Sequence, residues 1–349
     1  MDIAVDTATL AKQHSRRLVA WWLLSVAALI FLMVIVGGLT RLTESGLSIT
    51  EWKPVMGAFP PMSEAHWQEE FDKYRLIPQY QLINKGMSLA EFKTIYWWEW
   101  AHRFLGRFIG IAFLVPFIVL FMRGHIERKF VPRLALLFVL GGLQGLLGWW
   151  MVKSGLTHRV DVSQYRLTAH FGLAALIYGV MIWTVLDLLH GQQPDGSSKL
   201  RRLAVVTLAV IFFQMLLGGL VAGLKAGFVY NTWPLMDGAL IPEGMFAQAP
   251  WWLNFFENTL TVQFQHRVIA YAASALVFWQ WFRARGSAVA DSAFWLVIAM
   301  LLQVALGIWT LLTVVPIHLG AAHQAGAMIV FTLTIYHAHR LTPQAARFL

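Results

Sequence analysis

From Ser292 to Ala338 the chain runs for 47 residues without a single Asp, Glu, Lys or Arg. A helix needs about 20 apolar residues to cross a bilayer, so this stretch is too long for one crossing and long enough for two. Pro316 marks a tight turn between them, since its ring removes a donor and cannot continue the preceding helix. Uncharged runs of the same kind extend from Leu18 to Thr40, Leu134 to Val152, Leu167 to Leu186 and Leu203 to Leu224. Two more, at about 100–122 and 262–282, are interrupted near their starts by His102-Arg103 and His266-Arg267. The pattern therefore predicts an all-α integral membrane protein with eight transmembrane helices. The first run is too long for a signal-peptide core and has no small-residue cleavage site, so it reads as a retained span.

Charge is sparse, and its placement is informative. Charged residues make up 13 % of the chain, against about 25 % in soluble domains. The net charge of +9 would suit nucleic acid if it were clustered on one fold, but it follows topology instead. The N-terminus (Lys12, Arg16, Arg17), the loops after spans 2, 4 and 6 and the tail (Arg340, Arg347) hold 14 Lys and Arg against six Asp and Glu. Short basic loops stay cytoplasmic. Both termini are thus expected in the cytoplasm and the protein in the inner membrane of a bacterium, with membrane lipid as a partner and nucleic acid not needed. With no cysteine in the sequence, disulfides, thiolate-bound metal and cysteine catalysis are excluded.

The loops on the other side are long. The first, about 41–99, has its own helix signals: Ser63 before Trp67, Phe71 and Tyr74, and an S-x-x-E capping box at Ser88 and Glu91. The second, about 225–258, is rich in Pro and Trp. Such loops serve as a lid, a lateral entrance or a passive cap.

An internal repeat organises the spans. Phe31–Gly46 aligns without gaps to Phe212–Gly227, sharing Phe, Gly-Gly-Leu and the final Gly. Glu99-Trp-Ala-His-Arg then resembles Gln263-Phe-Gln-His-Arg; Leu143-Gln-Gly-Leu-Leu-Gly resembles Leu302-Gln-Val-Ala-Leu-Gly; and Thr168-Ala-His resembles Ala321-Ala-His. Four matches in order, one per helix, indicate duplication. The expectation is two tandem four-helix bundles, 1–190 and 191–349, related by a pseudo-twofold axis along the membrane normal, because four spans each leave both halves in the same orientation.

The repeat selects His102, His170, His266 and His323 from twelve histidines. All four lie near the starts of spans that run from outside to inside. Paired as 102 with 170 and 266 with 323, they offer two bis-imidazole sites suited to haem iron. A single histidine in a membrane helix is as often a helix contact as a ligand, but the matched pairs need a common explanation. Zinc is the weaker alternative, as only Glu99 stands nearby. His318 is the nearest decoy, and His337 and His339 read as interfacial. Gly106/Gly110 and Gly141/Gly145 form G-x-x-x-G faces, for close approach of either a macrocycle or a neighbouring helix. Arg103, Arg107 and Arg267 could meet haem propionates or snorkel to the surface.

The halves differ at one chemically important position. Glu99 stands three residues before His102 on one helix face, where the second half has Gln263. A carboxylate beside a porphyrin edge could take a proton or stabilise developing positive charge; a pairing with Arg103 or Arg41 is the plainer account. Glu44, in the turn after the first span, is a second candidate or a turn cap.

Gly37-Gly-Leu-Thr-Arg-Leu-Thr-Glu-Ser-Gly-Leu-Ser-Ile49, Glu99-x-x-His-Arg103, Gln144-Gly-x-x-Gly148 and the histidines at 170, 266 and 323 resemble the haem A synthase family, in its cysteine-free proteobacterial and mitochondrial type. The resemblance covers essentially the whole chain. It implies an oxidoreductase that hydroxylates the ring-D methyl of haem O twice, the gem-diol losing water to give the formyl group of haem A for cytochrome c oxidase. It further implies that His266 and His323 ligate a permanent haem b, that His102 and His170 hold the haem O substrate, and that Glu99 is the catalytic carboxylate. Haem O synthase and an unidentified membrane or soluble electron partner are the expected associates. The competing reading is a di-haem b protein that only transfers electrons from quinol. A transporter fits less well, because the repeats are parallel.

Overall fold

The computed structural model describes residues 2–53, 56–189 and 197–343. The expected boundary between halves at 190, together with Asp195 and Arg347, falls outside them. In chain order the helices are α1 (Asp2–Leu42), α2 (Glu64–Arg75), α3 (Pro78–Leu82), α4 (Leu89–Met122), α5 (Val131–Lys153), α6 (Gln164–Leu189), α7 (Ser198–Gly223), α8 (Asn254–Glu257), α9 (Thr259–Ala284), α10 (Ala290–Leu312) and α11 (Ile317–Arg340).

Among the described residues eight of these helices have 23 residues or more, so the chain is an all-helical, multi-pass membrane protein. Seven are both long and apolar enough to cross a bilayer. The eighth, α9, has the same 26 residues as α7 but carries Gln263, Gln265, His266, Arg267, Gln280 and Arg283, which lower its hydropathy. The charge-free stretch divides at the expected place: Pro316 sits at the start of α11, after a turn in which Val314 and Val315 take φ of 60° and 54°.

Packing of the long helices follows one scheme twice. α1 contacts α4 and α6, and α5 contacts α6; likewise α7 contacts α9 and α11, and α10 contacts α11. α6 against α7 and α1 against α11 join the two sets, so α1, α6, α7 and α11 form the centre. Their apolar core includes Leu23, Ala175, Met181, Met328 and Ile335, each at most 2 % exposed. Burial of such side chains contributes little in lipid, where specificity comes from packing and polar contacts.

Polar contacts tie the two ends. At the end bearing the basic loops, Arg16 pairs with Glu127, Arg340 with Asp291, and Asp187 receives Arg133 at 2.7 Å and His339 at 2.9 Å. His339 and His337 are 1 % and 0 % exposed, so both face the protein interior at this end. His339 completes the buried Asp187–Arg133 cluster, and His337 Nδ1 lies 2.7 Å from Ser292 Oγ. Here a charge-poor sequence hid buried partners contributed by distant helices.

At the opposite end α2 lies over α4. Ser63 caps α2 by accepting the amide of His66, and Ser88 and Glu91 form the full capping box of α4. Trp67, Phe71 and Tyr74 are buried, with Phe71 stacked on Phe92 at 4.9 Å and Trp67 edge-on to Tyr96 at 4.9 Å. Lys73 then fastens α2 to the preceding loop through Glu51 at 2.8 Å and pairs with Glu70 of the same helix at 2.9 Å. Burial pulls the Lys73 pKa down, but its hydrogen bonds to Glu51, Glu69 and Glu70 outweigh this and raise it. Those of Glu51 and Glu69 are correspondingly lowered, by their hydrogen bonds to Lys53 and Lys73 and to Lys73 respectively.

Candidate haem-binding site

Each of the four histidines rests against a glycine of the neighbouring helix. A Cβ added at Gly37 of α1 would lie 3.1 Å from His102 Nε2, and one at Gly148 of α5 would lie 3.1 Å from His170 Cε1. In the second half, Gly218 of α7 faces His266 Cε1 at 3.4 Å and Gly307 of α10 faces His323 Cε1 at 2.7 Å. Gly37 aligns with Gly218 and Gly148 with Gly307 in the repeat. A glycine notch therefore faces the ring four times, and at Gly307, Gly37 and Gly148 even a Cβ would press on it, whereas at Gly218 it would make ordinary contact. All four histidines are half-buried.

Glutamines from adjacent helices brace three of the rings. Gln144 Nε2 lies 3.1 Å from His170 Nδ1 and donates to the His170 carbonyl at 2.9 Å. Gln303 makes the same pair of contacts with His323, at 3.2 and 2.9 Å. Gln214 makes them with His266, at 3.0 and 3.0 Å. The amide oxygen of each of these glutamines is buried without a hydrogen-bond partner. Neighbours that orient a metal-binding imidazole are the rule, and these three amides hold their rings while each leaves a buried oxygen unpaired, which fits a haem site better than a dry helix contact. Among the described residues no group of three or more His, Asp or Glu could hold a bare metal ion, which disfavours zinc.

The sequence alone did not single out these notch glycines or glutamines, although most were visible in the repeat. The G-x-x-x-G reading chose other positions. No atom lies within 4 Å of a Cβ built at Gly110, Gly141 or Gly145, and at Gly106 only Met33 approaches, at 3.4 Å. The Gly106 end of the α4 face meets Met33 of α1, while Gly110, Gly141 and Gly145 face open space. His318, the decoy, is exposed.

Glu99 is 2 % exposed and both of its oxygens are engaged. Oε2 accepts from Ser48 Oγ at 2.7 Å and the Ile49 amide at 2.8 Å; Oε1 accepts from Arg103 at 2.6 Å. Arg103 also donates to the carbonyls of Ile49 and Glu51, at 2.7 and 3.0 Å. Gln263 and Arg267 do the same work in the other half with reversed polarity. Gln263 Nε2 donates to the carbonyls of Ala226 and Val229, at 2.7 and 2.6 Å, and its oxygen accepts from Arg267 at 2.8 Å. Arg267 reaches the carbonyls of Tyr230 and Thr232, at 2.7 and 2.8 Å. One loop presents donors and needs a carboxylate; the other presents carbonyls and needs an amide. The Glu/Gln difference thus has a structural cause as well as a chemical consequence. Arg107 donates to the Lys53 carbonyl at 3.1 Å. The three arginines clamp outer loops over the histidines, and Arg267 Nε remains buried without a partner.

Glu44 is not beside the histidines. It pairs with Lys225 at 2.5 Å, and Lys225 also reaches Asp161 at 3.1 Å. Positions 44 and 225 are equivalent in the repeat, and both take φ of 54°.

Comparison with known proteins agrees with this geometry. Residues 20–335 match the COX15-CtaA family model, described as cytochrome oxidase assembly protein. The heme A synthase of Parvibaculum lavamentivorans is 65 % identical over 323 residues, covering 93 % of this chain and 94 % of the relative. That of Bradyrhizobium diazoefficiens is 55 % identical, covering 95 % and 93 %, and that of Rhodopseudomonas palustris 52 %, covering 95 % and 92 %. Matched over nearly its whole length by the family model and by these enzymes, the chain belongs to the cytochrome oxidase assembly family that contains the heme A synthases.

Proposed function

We propose that this chain is a haem A synthase, an oxidoreductase of the bacterial inner membrane that converts the ring-D methyl of haem O to the formyl group of haem A. The observation that carries the reading is the fourfold notch: two pairs of imidazoles, each ring seated on a glycine and three of them braced by glutamine. We assign His102 and His170 to the haem O substrate and His266 and His323 to a resident haem b. Bound there, haem b would supply one-electron transfer. The repeated packing scheme supports two halves, 1–190 and 191–349, with α9 as the eighth span. The clustering of basic loops at one end supports cytoplasmic termini.

The chain's own groups have distinct tasks. The notch glycines set each ring's distance from the neighbouring helix. Arg103 and Arg267 hold the outer loops over the two sites, and with Arg107 they supply positive charge for propionates directed outward. Glu99 brings a carboxylate within one helical turn of His102, where it can accept a proton or stabilise positive charge developing at a ring substituent. Ser48, Ile49 and Arg103 fix its orientation. Apolar side chains along α4 and α5, such as Phe108 and Phe138, both exposed, offer a surface for the farnesyl-derived tail of haem O. Haem O synthase as donor and an electron partner complete the assignment.

Purification followed by haem extraction tests it. Haem O or haem A together with haem b supports the proposal, and the first pair should vanish in His102→Ala or His170→Ala while haem b remains. Haem b alone at both sites would identify a di-haem electron-transfer protein instead.

A further inference from the structure

Gln214, Gln144 and Gln303 brace His266, His170 and His323, but no described residue hydrogen-bonds the His102 ring. The repeat explains the gap. Position 214 aligns with position 33, and residue 33 is methionine. α1 packs on α4 as α7 packs on α9, so Met33 occupies the place from which Gln214 reaches its histidine. Its methyl carbon lies 3.4 Å from a Cβ built at Gly106, one turn beyond His102. A thioether has no N–H, so Met33 cannot replace the Gln214 amide nitrogen that lies 3.0 Å from His266 Nδ1 and donates to the His266 carbonyl. The C-terminal pair therefore has two braced rings and the N-terminal pair only one.

We propose that Met33 makes His102 the releasable axial ligand, and that Gln214 is the positioning residue that keeps the equivalent ligand, His266, in place. This rests on the haem assignment above and deepens it. A hydrogen-bonded neighbour fixes the orientation of a metal-binding imidazole, and the Gln214 amide does this by tying the His266 ring to its own backbone carbonyl. A resident haem benefits from that restraint on both sides. A substrate haem must enter and its product must leave at every turnover, so one weakly held ligand speeds exchange. Gln and Met have similar length and volume, so exchanging them alters hydrogen bonding with little change in packing.

The test uses the full-length chain in detergent, with Met33→Gln, Gln214→Met and Gln214→Glu. The readouts are the rate of haem transfer to excess apomyoglobin and the low-spin electron paramagnetic resonance signal of each site. Outer-sphere partners of metal-binding histidines are worth roughly 10–100-fold in affinity. Met33→Gln should slow loss from the N-terminal site by about 10-fold or more, and Gln214→Met should speed loss from the C-terminal site similarly. Gln214→Glu, which keeps the length but loses the amide donor, should release haem about as fast as Gln214→Met. Rates within twofold of the parent for both Met33→Gln and Gln214→Met would overturn the proposal. If His102→Ala leaves N-terminal haem binding unchanged, the haem assignment itself is wrong, a result distinct from the first.

Discussion

A single methyl group added at Gly307 would place its carbon 2.7 Å from His323 Cε1, 3.3 Å from Nδ1 and 3.6 Å from Nε2. The ring must retreat by about 0.7 Å to regain ordinary contact at 3.4 Å. Metal–ligand distances tolerate only about 0.2 Å, so the ring cannot move that far and hold iron unchanged. Overpacking of this kind costs about 1–3 kcal/mol, which corresponds to roughly 5- to 150-fold weaker haem retention. At Gly148 and Gly37 the contact is 3.1 Å, and at Gly218 it is 3.4 Å. The series therefore ranks Gly307→Ala as most damaging, Gly148→Ala and Gly37→Ala as intermediate, and Gly218→Ala as nearly silent. Replacing glycine by alanine inside a helix otherwise favours folding by about 0.5–1 kcal/mol, so haem loss should occur without loss of thermal stability. Haem-to-protein ratios, the low-spin Soret band and melting temperatures of the four variants decide the matter. Equal retention across the series, or loss in Gly218→Ala alone, would refute the notch argument.

Other perturbations have defined outcomes. Glu99→Ala should abolish formyl formation while sparing the C-terminal haem spectrum, and normal haem A output would remove Glu99 from the chemistry. The same change leaves Arg103 without its carboxylate, and breaking a buried pair costs about 3–5 kcal/mol; faster hydrogen exchange over 43–53 should report it. Asp187→Ala should destabilise the fold by a similar ~3–5 kcal/mol, seen as a lower midpoint in detergent unfolding, because Arg133 and His339 lose their shared partner. Lowered pKa values at Glu51 and Glu69 mean that their contribution is present above the ordinary carboxylate value of 4.5 and is lost as pH falls through and below it. Proteolysis of the α2 region should then accelerate below that pH and stay flat between pH 5 and 8.

Much of this architecture was readable before any coordinates. Hydropathy located the long helices, Pro316 divided the charge-free stretch, and Ser63, Ser88 and Glu91 announced the caps of α2 and α4. Those features are local in sequence, and local chemistry fixes them. What escaped notice depends on contacts between distant segments. His337 and His339 lie where an interface was expected, yet Ser292 and Asp187 enclose them. Spacing along one helix does not reveal which neighbour lies opposite, so it did not distinguish the open faces at Gly110, Gly141 and Gly145 from the packed one at Gly106. The difference between Glu99 and Gln263 was visible as an asymmetry. Its cause was not, because the donors of 48–49 and the carbonyls of 226–232 depend on how each loop folds back over its helix. Gln214 was hidden for a different reason: its counterpart is Met33, so the repeat offered no match to draw attention to it.

The Glu44–Lys225 contact has a bearing on ancestry and assembly. A residue on a twofold axis in a symmetric pair meets its own copy, and identical charges there repel. Here the two copies have diverged to opposite signs, so the union of unlike halves is favoured. Two N-terminal halves brought together in the same way would oppose carboxylate to carboxylate, and two C-terminal halves ammonium to ammonium. With side chains 37 % and 40 % exposed the pair is worth about 0–1 kcal/mol, so its charge signs bias which loops meet without fixing them.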